Sequence, residues 1–99
     1  MSDYFKRVDI ETVTTFTDAA SLADFGFQAT KQSVYNDNPD IDAIVEVSFN
    51  GIDVHARLQG TGSTKAMGWS EHNRPKLYVR RPAGGPAGSR YVDIYAETH

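Results

Sequence analysis

The sequence predicts a small, mainly β domain, an antiparallel sandwich or open barrel of about six strands with one short helix. Runs of alternating apolar and polar residues recur along the chain, which is the pattern of strands with one buried face. Asn-Gly and Gly/Pro clusters separate these runs, as turns do. The chain has 99 residues, which predicts one domain over residues 1–99 with a modest core.

The strongest single signal is a hairpin over Ala43–Gln59, in which Asn50-Gly51 joins two alternating runs. This dipeptide favours a two-residue type I′ turn, because both central residues of such a turn need positive φ. The apolar residues of the two runs would then share the inner face: Val45, Val47, Phe49, Ile52, Val54, Ala56 and Leu58. We expect this hairpin to form the centre of the sheet.

The N-terminal part predicts two strands around a helix. Tyr4–Phe16 is rich in β-branched residues and alternates, which indicates a strand. Thr17-Asp18 offers a helix N-cap and Gly26 a helix end, so a two-turn helix is expected between them. Phe27–Tyr35 alternates weakly, as a partly solvated strand would, and the Asx side chains of Asn36–Asp40 predict a turn.

The C-terminal part predicts a long loop and a second hairpin. Gly60–Pro75 is rich in Gly, Ser and Asn and holds the only tryptophan, Trp69. Loops of this length in compact domains are usually functional or disordered. Lys76–Arg81 and Tyr91–Glu97 then alternate on either side of Pro82–Ser89, which predicts a hairpin closed by a Gly/Pro loop.

This second hairpin supplies the candidate binding surface. Its outer side would carry one patch of aromatic and basic residues: Tyr78, Arg80, Tyr91 and Tyr95, with Arg81 and Arg90 at the mouth of the 82–89 loop. Trp69 is expected to be partly exposed in the isolated chain and buried at a contact. Tyrosine, tryptophan and arginine dominate the energetics of protein interfaces. Two alternatives remain, namely cross-strand pairing that only stabilises the hairpin and a platform for single-stranded nucleic acid.

The loop of that hairpin, Pro82–Ser89, contains two prolines and three glycines. It has no large apolar side chain with which to pack a core of its own, so it is expected to be mobile until a partner orders it.

No motif indicates catalysis, a metal or a cofactor. Cysteine is absent, which excludes disulfides and thiolate ligands. The histidines His55, His72 and His99 lack ligand spacing. The glycine-rich loops do not lead into a helix whose amides would bind phosphate.

Charge is divided unevenly along the chain. Residues 1–49 hold three basic and nine acidic side chains, and residues 50–99 hold seven basic and four acidic ones. The division is either chance or a sign that acidic and basic faces meet between copies or on a partner. No window approaches the ~18 apolar residues of a membrane span. The start lacks the apolar core of a signal peptide, which predicts cytoplasmic synthesis.

These observations predict a non-enzymatic interaction or assembly subunit that docks on copies of itself or on a larger partner. A virion accessory or capsid-decoration protein is one such subunit. The alternatives are a monomeric adaptor or inhibitor that binds one protein, and a single-stranded nucleic-acid-binding domain that uses the aromatic-basic hairpin face.

Overall fold

The computed structural model describes residues 2–62 and 65–98, so Ser63 and Thr64 of the predicted long loop, and His99, lie outside the described residues. The described residues form eight strands and one 3-10 turn. The strands are β1 (Ser2–Asp9), β2 (Leu22–Ala29), β3 (Lys31–Asn36), β4 (Val45–Ser48), β5 (Ala56–Leu58), β6 (Ala66–Trp69), β7 (Arg74–Arg80) and β8 (Tyr91–Thr98). The prediction of a small, mainly β antiparallel fold is confirmed, with more strands than the sequence indicated.

The strands form two four-stranded antiparallel sheets. The first sheet has the order β1-β8-β3-β6, and the second has the order β2-β7-β4-β5. In the first sheet, β1 pairs with β8 along its whole length, from Ser2 opposite Thr98 to Asp9 opposite Tyr91. Since β8 also pairs with β3, the last strand of the chain lies inside the first sheet.

The core lies between the inner faces of the two sheets. Alternation along the strands places apolar side chains inward. Those that are completely buried are Ala29, Val34, Val45, Val47, Leu58, Leu77, Val79, Val92 and Ile94, together with Ile10 after β1. Burial of a Val, Leu or Ile side chain contributes about 1.5–3 kcal/mol, so this layer is the main source of stability.

Two buried asparagines link the sheets. The Asn36 amide donates to the carbonyl oxygens of Ala43 at 2.6 Å and Leu58 at 3.1 Å. Asn38 donates to the Asn36 side chain and to the carbonyl of Tyr91, and accepts from the Tyr91 amide. The predicted Asn36–Asp40 turn is therefore a polar link between β8 and the second sheet.

The prediction of a helix after Thr17 is wrong. Asp18 does cap a helical turn, since its carboxylate accepts from the amide of Ala20, but the turn is a 3-10 turn of three residues, Ala19–Ser21. The chain then enters β2, and Gly26, with φ of 78°, lies inside that strand at an irregular register rather than at a helix end. The expected two turns would have been too short to compete with pairing to β7.

The hairpin predicted over Ala43–Gln59 exists, but its turn and its position differ from the prediction. Val45 pairs with Leu58 and Val47 with Ala56, so residues 49–55 form a loop instead of a two-residue turn. Asn50 does not adopt positive φ. Its side-chain oxygen accepts from the amides of Ile52 and Asp53, which closes an Asx turn.

As a result, Ile52 is 79% exposed and Val54 is also exposed, although both were predicted to face the core. β5 is an edge strand, so this hairpin is not the centre of its sheet.

The second predicted hairpin does not form. β7 belongs to the second sheet and β8 to the first, so residues 81–90 cross from one sheet to the other. The inner residues Leu77 and Val79 still belong to the same core cluster as Val92 and Ile94 of β8, but the two strands lie in different sheets rather than side by side. The predicted 60–75 loop contains β6, which pairs with β3 at the edge of the first sheet.

Candidate functional site: the outer face of the first sheet

The outer face of the first sheet carries four exposed aromatic side chains, which together we call the aromatic face. Phe5 is 57% exposed, Tyr95 47%, Tyr91 38% and Tyr35 36%. They come from β1, β8 and β3, whose register points them to the same side. The largest contiguous apolar patch on the surface of a soluble protein, typically about 300–600 Å², is often a site of interaction.

The register arranges this face in rows that run across the strands. We name three rows: the charged row (Asp3, Glu97, Lys31), the ring row (Phe5, Tyr95, Ser33, Gly68) and the Arg7 row (Arg7, Asp93, Tyr35, Ala66). Directly opposed residues in antiparallel strands have Cβ atoms about 5 Å apart, so members of a row are neighbours.

Ring contacts hold the aromatic face in place. The rings of Phe5 and Tyr95 lie with centroids 4.7 Å apart. The guanidinium of Arg7 lies over the Tyr91 ring at 4.7 Å, and the ammonium of Lys65 lies over the Tyr35 ring at 5.1 Å. These contacts restrict the side chains before any partner arrives, which lowers the entropy cost of docking.

Arg7 is also fixed by two carboxylates. It donates to Asp37 at 2.6 Å and to Asp93 at 3.3 Å. The hydrogen bond to Asp37 is the main reason that the pKa of the Arg7 guanidinium is raised above its ordinary value. Arg7 therefore orders the aromatic face through contacts with side chains of its own chain.

The ring row contains an abrupt change of side-chain size. Phe5 and Tyr95 fill one half of the row, whereas Ser33 and Gly68 leave the other half hollow. A groove of about 730 Å³ occupies this hollow and its surroundings. Its lining includes the ring row, all three residues of the charged row, and Trp69 at the edge.

Acidic side chains outnumber basic ones on this face. The acidic residues are Asp3, Asp9, Asp37, Asp93 and Glu97, and the basic ones are Arg7, Lys31 and Lys65. A nucleic-acid surface needs clustered positive charge to contact phosphates, and this face has the opposite balance.

The structure divides the predicted binding patch between two opposite surfaces. Tyr91 and Tyr95 belong to the aromatic face. Tyr78 and Arg80 lie on β7, on the outer side of the second sheet. The prediction that all four form one outward patch is therefore wrong, because it depended on β7 pairing with β8.

Tyr78 and Arg80 are occupied by contacts within the chain. Arg80 donates to Glu46 at 2.9 Å and lies 4.0 Å over the ring of Phe16. The ring of Tyr78 contacts the same Phe16, with centroids 6.5 Å apart, and lies close to Gly51. These contacts support the second sheet locally, as cross-strand pairs usually do.

Arg90 does not face solvent at the loop mouth, contrary to the prediction. It is 2% exposed, and its guanidinium donates to the carbonyl oxygens of Pro86 at 2.7 Å and Ile44 at 3.3 Å. Burial is the main cause of the lowered pKa of this group, and the nearby charge of Arg81 adds to it.

Arg81 donates to Gly84 at 2.7 Å and, at 3.5 Å, to the same Pro86 carbonyl that Arg90 binds. Both arginines thus hold the 82–89 loop, for which the sequence predicted mobility.

Trp69 is partly buried at the edge of the first sheet. Its ring packs edge-on against Phe49 at 5.0 Å, and it lines the groove. The prediction of partial exposure in the isolated chain agrees with this position, and its role at a contact stays a prediction.

Sequence reasoning missed Phe5, Tyr35 and Arg7. A signal for two of them was present, because Phe5, Arg7 and Asp9 alternate with Tyr4, Lys6 and Val8 along β1. With Val8 facing inward, period two places Phe5 and Arg7 outward. Tyr35 had no comparable signal, since its strand alternates weakly.

Within residues 2–62 and 65–98, no group of three or more His, Asp or Glu side chains is placed to hold a metal ion. The same residues contain no helix with the length and apolar character needed to cross a membrane.

Comparison with known family models, curated proteins and solved structures finds no match to this chain. The assignment of function therefore depends on the geometry of the surface itself.

Proposed function

We propose that this chain is a non-enzymatic interaction or assembly subunit that docks through the aromatic face. The observation that carries the proposal is the exposure of Phe5, Tyr35, Tyr91 and Tyr95 together on one sheet face. Aromatic residues and arginine are enriched in protein interfaces, where they supply most of the binding free energy.

The contacts that fix these side chains support a docking role for the face. Without such contacts, the rings could simply be exposed residues that have no function. Phe5 and Tyr95 are neighbours in register and in contact, so they present one continuous apolar area. Arg7 ties Tyr91 to Asp37 and Asp93 and so keeps the polar rim of this area rigid. A pre-ordered apolar centre with a charged rim is the usual anatomy of an interface.

The charge balance favours a protein partner over nucleic acid. The acidic excess around the aromatic face would repel a phosphate backbone, which a nucleic-acid platform must attract. Tyr78 also lies on a different sheet from Tyr91 and Tyr95. The chain therefore lacks the continuous aromatic-basic surface that binding of single-stranded nucleic acid would need.

Two narrower versions belong to the same proposal. In one, the subunit decorates a larger assembly such as a virion capsid, with the aromatic face as its attachment surface. In the other, it acts as a monomeric adaptor or inhibitor of a single protein. Both versions require the same side chains, so one set of variants tests them together.

The test is an affinity pull-down from an extract of the source cells. It compares the proteins that are retained by three immobilised chains. These are the parent chain, Phe5→Ser with Tyr95→Ser, and Ile52→Ser, which removes an exposed apolar side chain from the 49–55 loop. A partner should be retained by the parent chain and by Ile52→Ser but lost from the double variant, because truncation of an interface anchor costs about 2 kcal/mol or more. Retention that is identical for all three chains, together with unchanged self-association, would contradict the proposal.

A further inference from the structure

We propose that the partner of the aromatic face is a second copy of this chain, packed face to face about a two-fold axis that runs parallel to the strands between β8 and β3. This inference rests on the proposed function and names its partner. It follows from the rows on the outer face of the first sheet, which are complementary to themselves in shape and in charge.

Shape is the first argument. A two-fold axis parallel to the strands keeps each row level and reverses the strand order, so that β1 faces β6 of the second copy and β8 faces its β3. In the ring row, Phe5 and Tyr95 then lie over Gly68 and Ser33 of the second copy. The filled half of the row thus lies over the part of the groove lined by Ser33 and Gly68 in the other copy, and the contact occurs twice, as a closed isologous interface requires.

Charge is the second argument. The same operation places Glu97 of the charged row opposite Lys31 of the second copy, and Lys31 opposite its Glu97. In the Arg7 row, Asp93 faces the hydroxyl-bearing Tyr35. Complementary charges at opposed positions fix the register of an interface.

A two-fold axis perpendicular to the strands through the ring row fits the same faces less well. It would place Tyr95 over Tyr95 and the hollow at Gly68 over the same hollow. It would also bring the charged row over the Arg7 row, with Asp3 opposite Arg7 but Glu97 opposite Asp93. The like-charge pair offsets the opposite-charge pair, and Arg7 is already bound to Asp37 and Asp93, so shape favours the axis parallel to the strands.

The size of the face predicts a weak dimer. Four strands about 4.8 Å apart, contacting over roughly 20 Å of their length, give a flat area on the order of 400 Å². A standard stable interface buries about 800 Å² on each partner. We therefore expect association at concentrations from roughly 10 µM to 1 mM, or at the high local concentration of a larger assembly.

The experiment measures self-association of the parent chain and its variants by sedimentation equilibrium over that concentration range. The first variant is Gly68→Leu, which fills the hollow. A Cβ at this position would meet no atom closer than 3.6 Å, and φ there is not positive, so the strand itself accepts the side chain. The matched control is Gln28→Leu, which adds the same side chain at an exposed position of β2 in the other sheet. Gly68→Leu should abolish dimerisation, and Gln28→Leu should leave it unchanged.

Two charge variants then distinguish contacts between copies from contacts within one copy. Lys31→Glu and Glu97→Lys should each weaken self-association about tenfold, because each places like charges at both symmetry-related sites. An equimolar mixture of the two variants should recover the affinity of the parent chain to within about threefold. In a mixed dimer, the carboxylate introduced by Lys31→Glu in one copy meets the ammonium introduced by Glu97→Lys in the other.

Lys31 and Glu97 are also cross-strand neighbours within one chain, but mixing cannot repair a contact of that kind. A parent chain that dimerises, is blocked by Gly68→Leu and recovers on mixing supports the inference. Failure to recover on mixing, or dimerisation that Gly68→Leu leaves intact, overturns it.

The outcome also separates this inference from the proposed function. If the parent chain stays monomeric throughout the range while Phe5→Ser with Tyr95→Ser still loses a retained protein, the partner is a different protein and only the inference fails. If the parent chain is monomeric and retention is identical for all chains, the proposed function fails as well.

Discussion

Replacement of Arg90 by alanine is expected to destabilise the fold and release the 82–89 loop. The guanidinium is 2% exposed and donates to the carbonyl oxygens of Pro86 and Ile44. A hydrogen bond from a charged donor contributes about 1.5–3 kcal/mol, so two such bonds give about 3 kcal/mol at the lower bound. Removal of the buried charge recovers some desolvation energy. The net loss should therefore be about 2–3 kcal/mol.

The loss should be measured by urea unfolding and by thermal melting. For a chain of this size, about 2–3 kcal/mol lowers Tm by roughly 10–20 °C. Hydrogen exchange supplies a second readout, because the amides of residues 83–85 and 87–89 should exchange faster once the Pro86 carbonyl is no longer held. Arg90→Lys should recover less than half of the loss, since one ammonium cannot reproduce the two-pronged geometry of a guanidinium.

Arg81→Ala is the matched control. Arg81 also donates to carbonyl oxygens of this loop, but its side chain is partly exposed and water can replace it. We expect a loss of less than about 1 kcal/mol. If Arg90→Ala melts within about 3 °C of the parent chain, the reasoning that Arg90 anchors the loop is refuted.

Three further predictions follow from particular contacts. Gly60→Ala should destabilise the fold by several kcal/mol, because the new Cβ would lie 1.9 Å from the carbonyl oxygen of Asp40. Gly68→Ala is the control and should be neutral or slightly stabilising. Equal melting temperatures of the two variants would contradict this prediction. The amide of Arg90 is the main cause of the lowered pKa of Asp9, so this carboxylate stabilises the fold above the ordinary aspartate pKa of about 4 and loses that effect as pH falls below it. Asp9→Asn should therefore flatten the acid side of a stability–pH curve, and an unchanged curve would refute the assignment. Phe49→Ala should shift Trp69 fluorescence to longer wavelength, since the Phe49 ring covers the indole at 5.0 Å; an unchanged emission maximum would show that the indole is shielded by other groups.

Alternation in the sequence predicted most of the inner faces correctly. Val45, Val47, Ala56 and Leu58 are buried as expected, although the register of their hairpin differs from the predicted one by two residues. A shift of two residues leaves each side chain on the same face, because the period of a strand is two. The same alternation predicted that Leu77 and Val79 would be buried, although their pairing partner was wrong.

The pairing of strands could not be predicted in the same way. Pro82–Ser89 has a composition that suits a hairpin loop and a crossing between sheets equally well. The choice is made by distant residues, because β8 finds β1 and β3 rather than the adjacent β7. The candidate site depends on that choice, which explains why Tyr91 and Tyr95 were identified but were grouped with Tyr78 instead of Phe5.

The position of β8 has a consequence for biosynthesis. β1 and β3 pair with this strand and not with each other, so neither can complete its hydrogen bonding until residues 91–98 have emerged from the ribosome. During that interval both strands offer unpaired backbone edges, which invite aggregation. Folds that depend on such distant pairings also form slowly. The first sheet is therefore expected to form only after β8 has emerged from the ribosome, and the nascent chain is expected to benefit from a chaperone that shields β1 until then.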